Sequence, residues 1–330
     1  MSLRRRALWA VVIALASALF FTVTYVFNRA AAVEGGHWAW TASLRYLFTL
    51  PMLLLVVPWQ GGAGPVLRAM RARPWPWLLW SGIGFVLFYV CLTYAAASGP
   101  SWLVAGTFQL TVIAGMLCAP LLYNDHRARI PRAALGVGLL VLAGVLLMQF
   151  GHFEAGMDRQ AWIALACVAV SAFAYPLGNR GLLLQLERDR VELNATQRVF
   201  GMTLASQPCW IALAAFAWWH AGAPSTGQLW LAAGVALSAG VIATVLFFQA
   251  TGMVRDNPTA LGAVEAMQAA EILFSTMLGV AWLGEAWPQQ QALLGALLVM
   301  VGIVAFAWVV SRDAAGDPRA MQDLRSDRGA

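Results

Sequence analysis

Residues 99–122 read GPSWLVAGTFQLTVIAGMLCAPLL, and residues 133–150 read AALGVGLLVLAGVLLMQF. The same order of features returns at 257–282, NPTALGAVEAMQAAEILFSTMLGVAW, and at 290–310, QQALLGALLVMVGIVAFAWVV. Each pair opens on a proline followed by a hydroxyl residue, Pro100-Ser101 and Pro258-Thr259. Leu135-Gly136 lies 35 residues after Pro100, and Leu294-Gly295 lies 36 after Pro258. A second glycine then follows in each, within Ala143-Gly144-Val145 and Val301-Gly302-Ile303. Self-similarity of this kind marks a chain made of two copies of one unit.

Working outward, apolar runs can be counted against the requirement of about 20 residues to cross roughly 30 Å of hydrocarbon. Ten runs qualify: about 8–28, 38–57, 76–97, 100–122, 133–150, 160–178, 199–219, 228–250, 258–282 and 290–310. The first follows Arg4-Arg5-Arg6 and exceeds the roughly 7–15 apolar residues of a signal peptide, so it reads as a retained anchor. Five runs fall in 8–150 and five in 160–310. An odd number per copy inserts the second copy upside down, and inverted repeats with a site between them are a transporter architecture. The expected fold is therefore an all-α membrane protein of ten transmembrane helices in two inverted five-helix repeats. A short N-terminus, 1–7, precedes them, and a polar tail, 311–330, is expected to be disordered.

Composition agrees. The 330 residues are 61% hydrophobic and 11% charged, against about half and a quarter in ordinary soluble domains. Mean hydropathy is +0.70. All 21 basic residues are arginine. They gather at Arg4–Arg6, Arg68–Arg73, Arg127–Arg132, Arg180–Arg198, Arg255 and Arg312–Arg328, which fall in one alternate set of gaps. The other set holds only Arg29 and Arg159, and Arg45 lies inside the second run. Enrichment of positive charge on the cytoplasmic side places both termini there, with the chain expected in a bacterial inner membrane. Net charge of +6 thus serves orientation, and no basic face on a soluble module calls for nucleic acid.

The four cysteines, Cys91, Cys118, Cys167 and Cys209, occupy different runs and form no metal or disulfide spacing. No HExxH, Walker loop or GxSxG elbow is present. An enzyme, a metal or a cofactor is therefore not expected.

An ionisable group at bilayer depth costs about 2.5–3.5 kcal/mol or more, so each invites a functional hypothesis. Glu265, Gln268 and Glu271 stand three residues apart in the ninth run and, on one continuous helix, cover about a third of its circumference. Arg45 is their counter-charge. Glu265 is the expected proton-coupling carboxylate, with Glu271 and Arg45 beside it. The alternative is an ion pair that only holds helices together. Thr107 and Gln109 occupy the equivalent neighbourhood of the first copy and offer substrate hydrogen bonds or helix–helix glue. Tyr175-Pro176, with Asn179, marks either a gate or a plain helix end.

Several stretches carry a family resemblance: Ala42-Ser43-Leu44-Arg45-Tyr46, Gly99 to Thr107, Phe173 to Arg180, Gln197 to Met202, and Val254 to Pro258 with Ala263-Val264-Glu265-Ala266. Over nearly all of 8–310 the chain resembles the drug/metabolite transporter superfamily of ten-helix, two-repeat carriers. It is most similar there to the bacterial family of putative multidrug resistance efflux transporters. The resemblance implies export of a small molecule. Small four-helix multidrug exporters carry a carboxylate in their first helix, and this chain has none there.

The combined expectation is a secondary exporter of small amphipathic or cationic compounds, driven by proton antiport. Its alternatives are a metabolite or amino-acid exporter without proton coupling and a non-transporting sensor. Two repeats in one chain supply both halves of a site and leave room for a homodimer.

Overall fold

The structure, a computed structural model, describes residues 3–97, 99–123, 128, 132–154, 159–255, 260–261, 264 and 267–315. Among these every regular element is helical, as a bilayer demands of backbone that cannot hydrogen-bond to water. The helices are α1 (Leu3–Val33), α2 (Trp38–Val56), α3 (Gly64–Ala72), α4 (Pro74–Ser81), α5 (Phe88–Ala95), α6 (Ser101–Phe108) and α7 (Leu110–Leu122). They continue with α8 (Arg132–Glu154), α9 (Arg159–Arg188), α10 (Ala195–Ala221), α11 (Thr226–Val235), α12 (Thr244–Met253), α13 (Ala270–Leu283) and α14 (Gln290–Ala315). Among the described residues, seven stretches are long and apolar enough to cross a membrane: Arg5–Val33, Trp38–Gln60, Pro74–Ala95, Ser101–Leu122, Arg159–Arg188, Ala195–Ala221 and Thr226–Met253. Three shorter apolar helices, Gly136–Met148, Met267–Leu283 and Gln290–Ala305, accompany them.

Two rods carry a π-helical segment, Gly82–Leu87 between α4 and α5 and Ala236–Ala243 between α11 and α12. Each segment is tied to another helix by a buried serine. Ser171 Oγ on α9 donates to the Phe88 carbonyl at 2.7 Å. Ser17 Oγ on α1 donates to the Ala243 carbonyl at 2.9 Å. Carbonyls released by the altered turn thus find partners. Two other rods are interrupted: Gln109 separates α6 from α7, and a 3-10 turn, Met267–Ala269, precedes α13. There Gln109 Nε2 donates to the Gln268 carbonyl at 3.1 Å.

Helix contacts rest on small residues. A Cβ on Gly178 of α9 would lie 2.3 Å from the Gly84 Cα and N, so only glycine lets these backbones meet. Gly144 and Gly295 do the same for α8 against α14. The other extensive contacts include α2 with α10, α5 and α7 with α9, α1 with α12 and α13, and α6 with α13. Between α2 and α10 the rings of Tyr46 and Trp210 stack at 4.4 Å. Large apolar side chains such as Leu55, Leu121 and Trp219 point outward, where lipid rather than water receives them.

Three expectations need correction. The sixth run does not end at 178: α9 continues to Arg188 with Pro176 inside it, and membrane helices tolerate such a proline. The tail does not begin at 311, since α14 reaches Ala315; residues 316–330 lie outside the described residues. The ninth run is not one regular helix, because a 3-10 turn at Met267–Ala269 precedes the α-helix that carries Glu271.

Candidate functional site

Beside the interruptions of the helices lies a cavity with an empty volume of about 960 Å³, counted to its open mouth. Its blind end is formed by Tyr25 on α1, Arg45 on α2, Gln268, and Glu271 in the first turn of α13. Glu271 is 2% exposed, has Tyr25 as a side-chain hydrogen-bond partner, and its Oε2 has none. Arg45, also 2% exposed, lies over the rings of Tyr89 at 4.1 Å and Tyr46 at 5.1 Å. Its Nε and Nη1 have no partner, and no ion pair joins it to Glu271. The expected counter-charge pairing of these two is thus absent: aromatic faces hold the guanidinium instead.

The walls are aromatic. The Tyr175 ring lies 4.8 Å from Phe88, 5.7 Å from Phe247, 6.2 Å from Phe108 and 6.3 Å from Phe21. Along α9, Tyr175, Asn179, Leu183 and Glu187 follow at intervals of one turn and lead from the blind end to the mouth. At the mouth stand Arg198 and Arg255, where the cavity abuts a second hollow that shares Leu183, Glu187, Arg198 and Arg255. Arg198 donates from Nη2 to the Phe248 carbonyl at 2.8 Å. Charged groups therefore stand at both ends of the cavity, with aromatic rings between them.

The opposite end is closed. Gly284 takes a left-handed conformation, φ 62°, that only glycine adopts without strain, and stops α13. The next residue, Glu285, donates its N–H to the Gly279 carbonyl and turns its carboxylate onto the start of α6. There it accepts from Ser101 N and from Ser101 Oγ, each at 2.7 Å. A carboxylate at that position also meets the positive end of the helix. Arg29, at the end of α1, stands 4.0 Å from the Glu285 carboxylate and donates to the carbonyls of Ala97 at 3.0 Å and Ala96 at 3.3 Å. Four elements are joined by this cluster. A void of about 190 Å³ lined by Tyr25, Asn28, Leu92 and Val104 separates it from the main cavity, with which it shares Tyr25 and Leu92.

Of the residues singled out from sequence, Glu271, Arg45, Gln268, Tyr175 and Asn179 line the cavity. Gln109 sits behind it, bonded to the Ala105 and Gln268 carbonyls. Thr107 donates to the Leu103 carbonyl of its own helix and does not line it. Glu265 lies outside the described residues. Sequence reasoning missed Arg198, Glu187 and the whole Arg29–Glu285–Ser101 cluster. A signal was present for the last: Arg29 and Glu285 are opposite charges in gaps otherwise poor in arginine.

Apolar helices of membrane-spanning length thus enclose an aromatic-walled cavity with a carboxylate and a guanidinium at its buried end, an arrangement suited to a membrane transporter. The family model for EmrE, putative multidrug resistance efflux transporter, matches residues 8–312, and the chain belongs to that family. It is accordingly a multi-pass membrane transporter for small molecules and not an enzyme. Among its relatives, the uncharacterized protein YjlA of Bacillus subtilis (strain 168) is 43% identical over 304 residues, covering 89% of this chain and 93% of that protein. An uncharacterized 42.1 kDa protein of Shouchella clausii, from the 3′ region of an intracellular alkaline protease, is 39% identical over 276 residues, covering 82% and 72%. A solved crystal structure, 17% identical, shares the fold with a TM-score of 0.59 over 92% of this chain and 98% of its own.

Proposed function

We propose that this transporter is a secondary exporter that exchanges small amphipathic or cationic compounds for protons by alternating access between two inverted five-helix repeats. Both termini face the cytoplasm of a bacterial inner membrane. The observation that carries the reading is a cavity open at its arginine-rich end, sealed at the other by Arg29, Glu285 and Ser101, with Glu271 at the blind end. By the bias of positive charge this is the cytoplasm-facing state of the cycle.

The repeat is supported by exchange of contacts. Swapping the first five spans for the last five turns the α5–α9 contact into α12–α1, while α2–α10, α6–α13 and α8–α14 return to themselves. Ser171 to Phe88 and Ser17 to Ala243 exchange in the same way, each at the end of a π segment. Gln109 and Gln268 likewise correspond, at the breaks of the fourth and ninth spans. Interrupted helices near the midplane are where such carriers place their sites.

Coupling follows from burial. A carboxylate as enclosed as Glu271 needs a positive partner, either a proton or a ligand cation. One must leave when the other arrives, so inward protons can be exchanged for outward substrate. The test is flux in proteoliposomes under an imposed pH gradient, with a panel of organic cations and with wild type beside Glu271→Gln. Proton-linked flux in wild type that disappears in a folded Gln variant is expected. Equal substrate movement by both, with no proton current, refutes the coupling.

A further inference from the structure

Arg45 and Glu271 are opposite charges at the blind end of one cavity, and the protein keeps them apart. Arg45 is held from behind by the faces of Tyr89 and Tyr46. Glu271 is held by Tyr25. Buried at this end of the cavity without a hydrogen-bond partner are Arg45 Nε and Nη1 and Glu271 Oε2, and Tyr175 and Asn179 line the same cavity. A site for cations alone has no use for a buried guanidinium in the same cavity as its carboxylate, since that charge repels the ligand. Two charges that serve only structure would close into a pair. An unclosed pair, each member with spare hydrogen-bonding capacity, is complementary to a ligand that carries both signs.

We infer that the substrates are aromatic zwitterions, compounds that present an ammonium and a carboxylate on one flat apolar body. The ammonium meets Glu271 Oε2, and the carboxylate meets the guanidinium edge of Arg45, whose planar fork suits two carboxylate oxygens. The ring lies among Phe21, Phe88, Phe108, Tyr175 and Phe247, where aromatic faces accept flat groups. The Asn179 amide offers a donor and an acceptor to substituents. This rests on the exporter reading and narrows it: the ammonium displaces the proton from Glu271, while Arg45 selects for the acid group that simple cations lack.

The test measures binding to the purified full-length protein in detergent by thermal shift and intrinsic tryptophan fluorescence. Two zwitterions are compared, phenylalanine with adjacent charges and 4-(aminomethyl)benzoate with charges at opposite ends of the ring. Their single-charge analogues are phenethylamine and 3-phenylpropionate, and benzylamine and benzoate. At least one zwitterion is expected to bind about tenfold or more tightly than both of its analogues, since each analogue leaves one buried charge unmatched. Glu271→Gln removes the advantage over the acid, and Arg45→Gln removes the advantage over the amine. Arg45→Lys, which keeps the charge but not the fork, covers the case in which Arg45→Gln does not fold and lowers the advantage over the amine partially. An amine that binds as tightly as its zwitterion, or failure of both zwitterions to bind, overturns the inference. Organic cations that drive proton-linked flux while zwitterions do not bind leave the exporter standing and this inference refuted. Zwitterions that bind as described but never cross the membrane do the reverse.

Discussion

Replacing Glu285 by alanine removes the acceptor that holds the start of α6 against the end of α13. The side chain accepts two hydrogen bonds from Ser101, both at 2.7 Å, and is 7% exposed. A hydrogen bond to a charged group contributes about 1.5–3 kcal/mol. Taking the lower figure for both, because the freed groups can be rehydrated at this edge, the cluster favours the closed end by about 3 kcal/mol. The Arg29 contact at 4.0 Å, from a side chain 25% exposed, adds at most about 1 kcal/mol. A change of about 3 kcal/mol moves a two-state equilibrium a hundredfold or more. Val104, in the void just beneath the cluster, is the reporter. In a background without the four native cysteines, Val104→Cys is exposed to a membrane-impermeant thiol reagent applied to intact cells. Slow labelling is expected with Glu285 present, about a hundredfold faster labelling with Glu285→Ala, and an intermediate rate with Glu285→Gln, which keeps an acceptor but not the charge. An unchanged rate in a monodisperse Glu285→Ala protein would show that the cluster is not a seal.

Gly178→Ala places a methyl 2.3 Å from the Gly84 backbone, which has no rotamer to escape into. Overpacking of this kind costs about 1–3 kcal/mol or more, and a lowered melting temperature by fluorescence-detected chromatography checks it. Ser171→Ala and Ser17→Ala each leave one carbonyl at a π segment without its partner; each is expected to cost about 1 kcal/mol, and nearly equal losses are what related positions predict. His37 caps the start of α2 by accepting from Ala39 N, and its pKa lies below the usual histidine value because of partial burial and nearby His220. The folded protein therefore takes up its proton less readily than the unfolded chain, so this residue lowers stability as pH falls through about 6.5. His37→Asn keeps a capping oxygen and removes the titration; thermal unfolding from pH 7.5 to 5 should then lose that share of its slope.

How much was legible depends on the kind of signal. Apolar runs announce helices because a bilayer core leaves a chain of twenty such residues few other conformations. Glu271 and Arg45 stood out because a charge inside an apolar run is costly wherever it points. Their partners were not legible. Arg45 meets Tyr46 and Tyr89 rather than a carboxylate, and that is settled by how α2 lies against its neighbours. Glu285 is a loop residue by sequence, and becomes a closing contact only because Gly284 turns it onto Ser101, 184 positions away. Nor does periodicity reveal the π segments or the 3-10 turn before α13, since one altered turn leaves composition unchanged. By itself the sequence determined that the chain spans a membrane and which charges lie within its apolar runs, because those are transfer costs summed along the chain. The tertiary structure alone decided which charges stay unpaired, which end of the cavity is shut and where backbones touch, because those depend on distances between helices far apart in sequence.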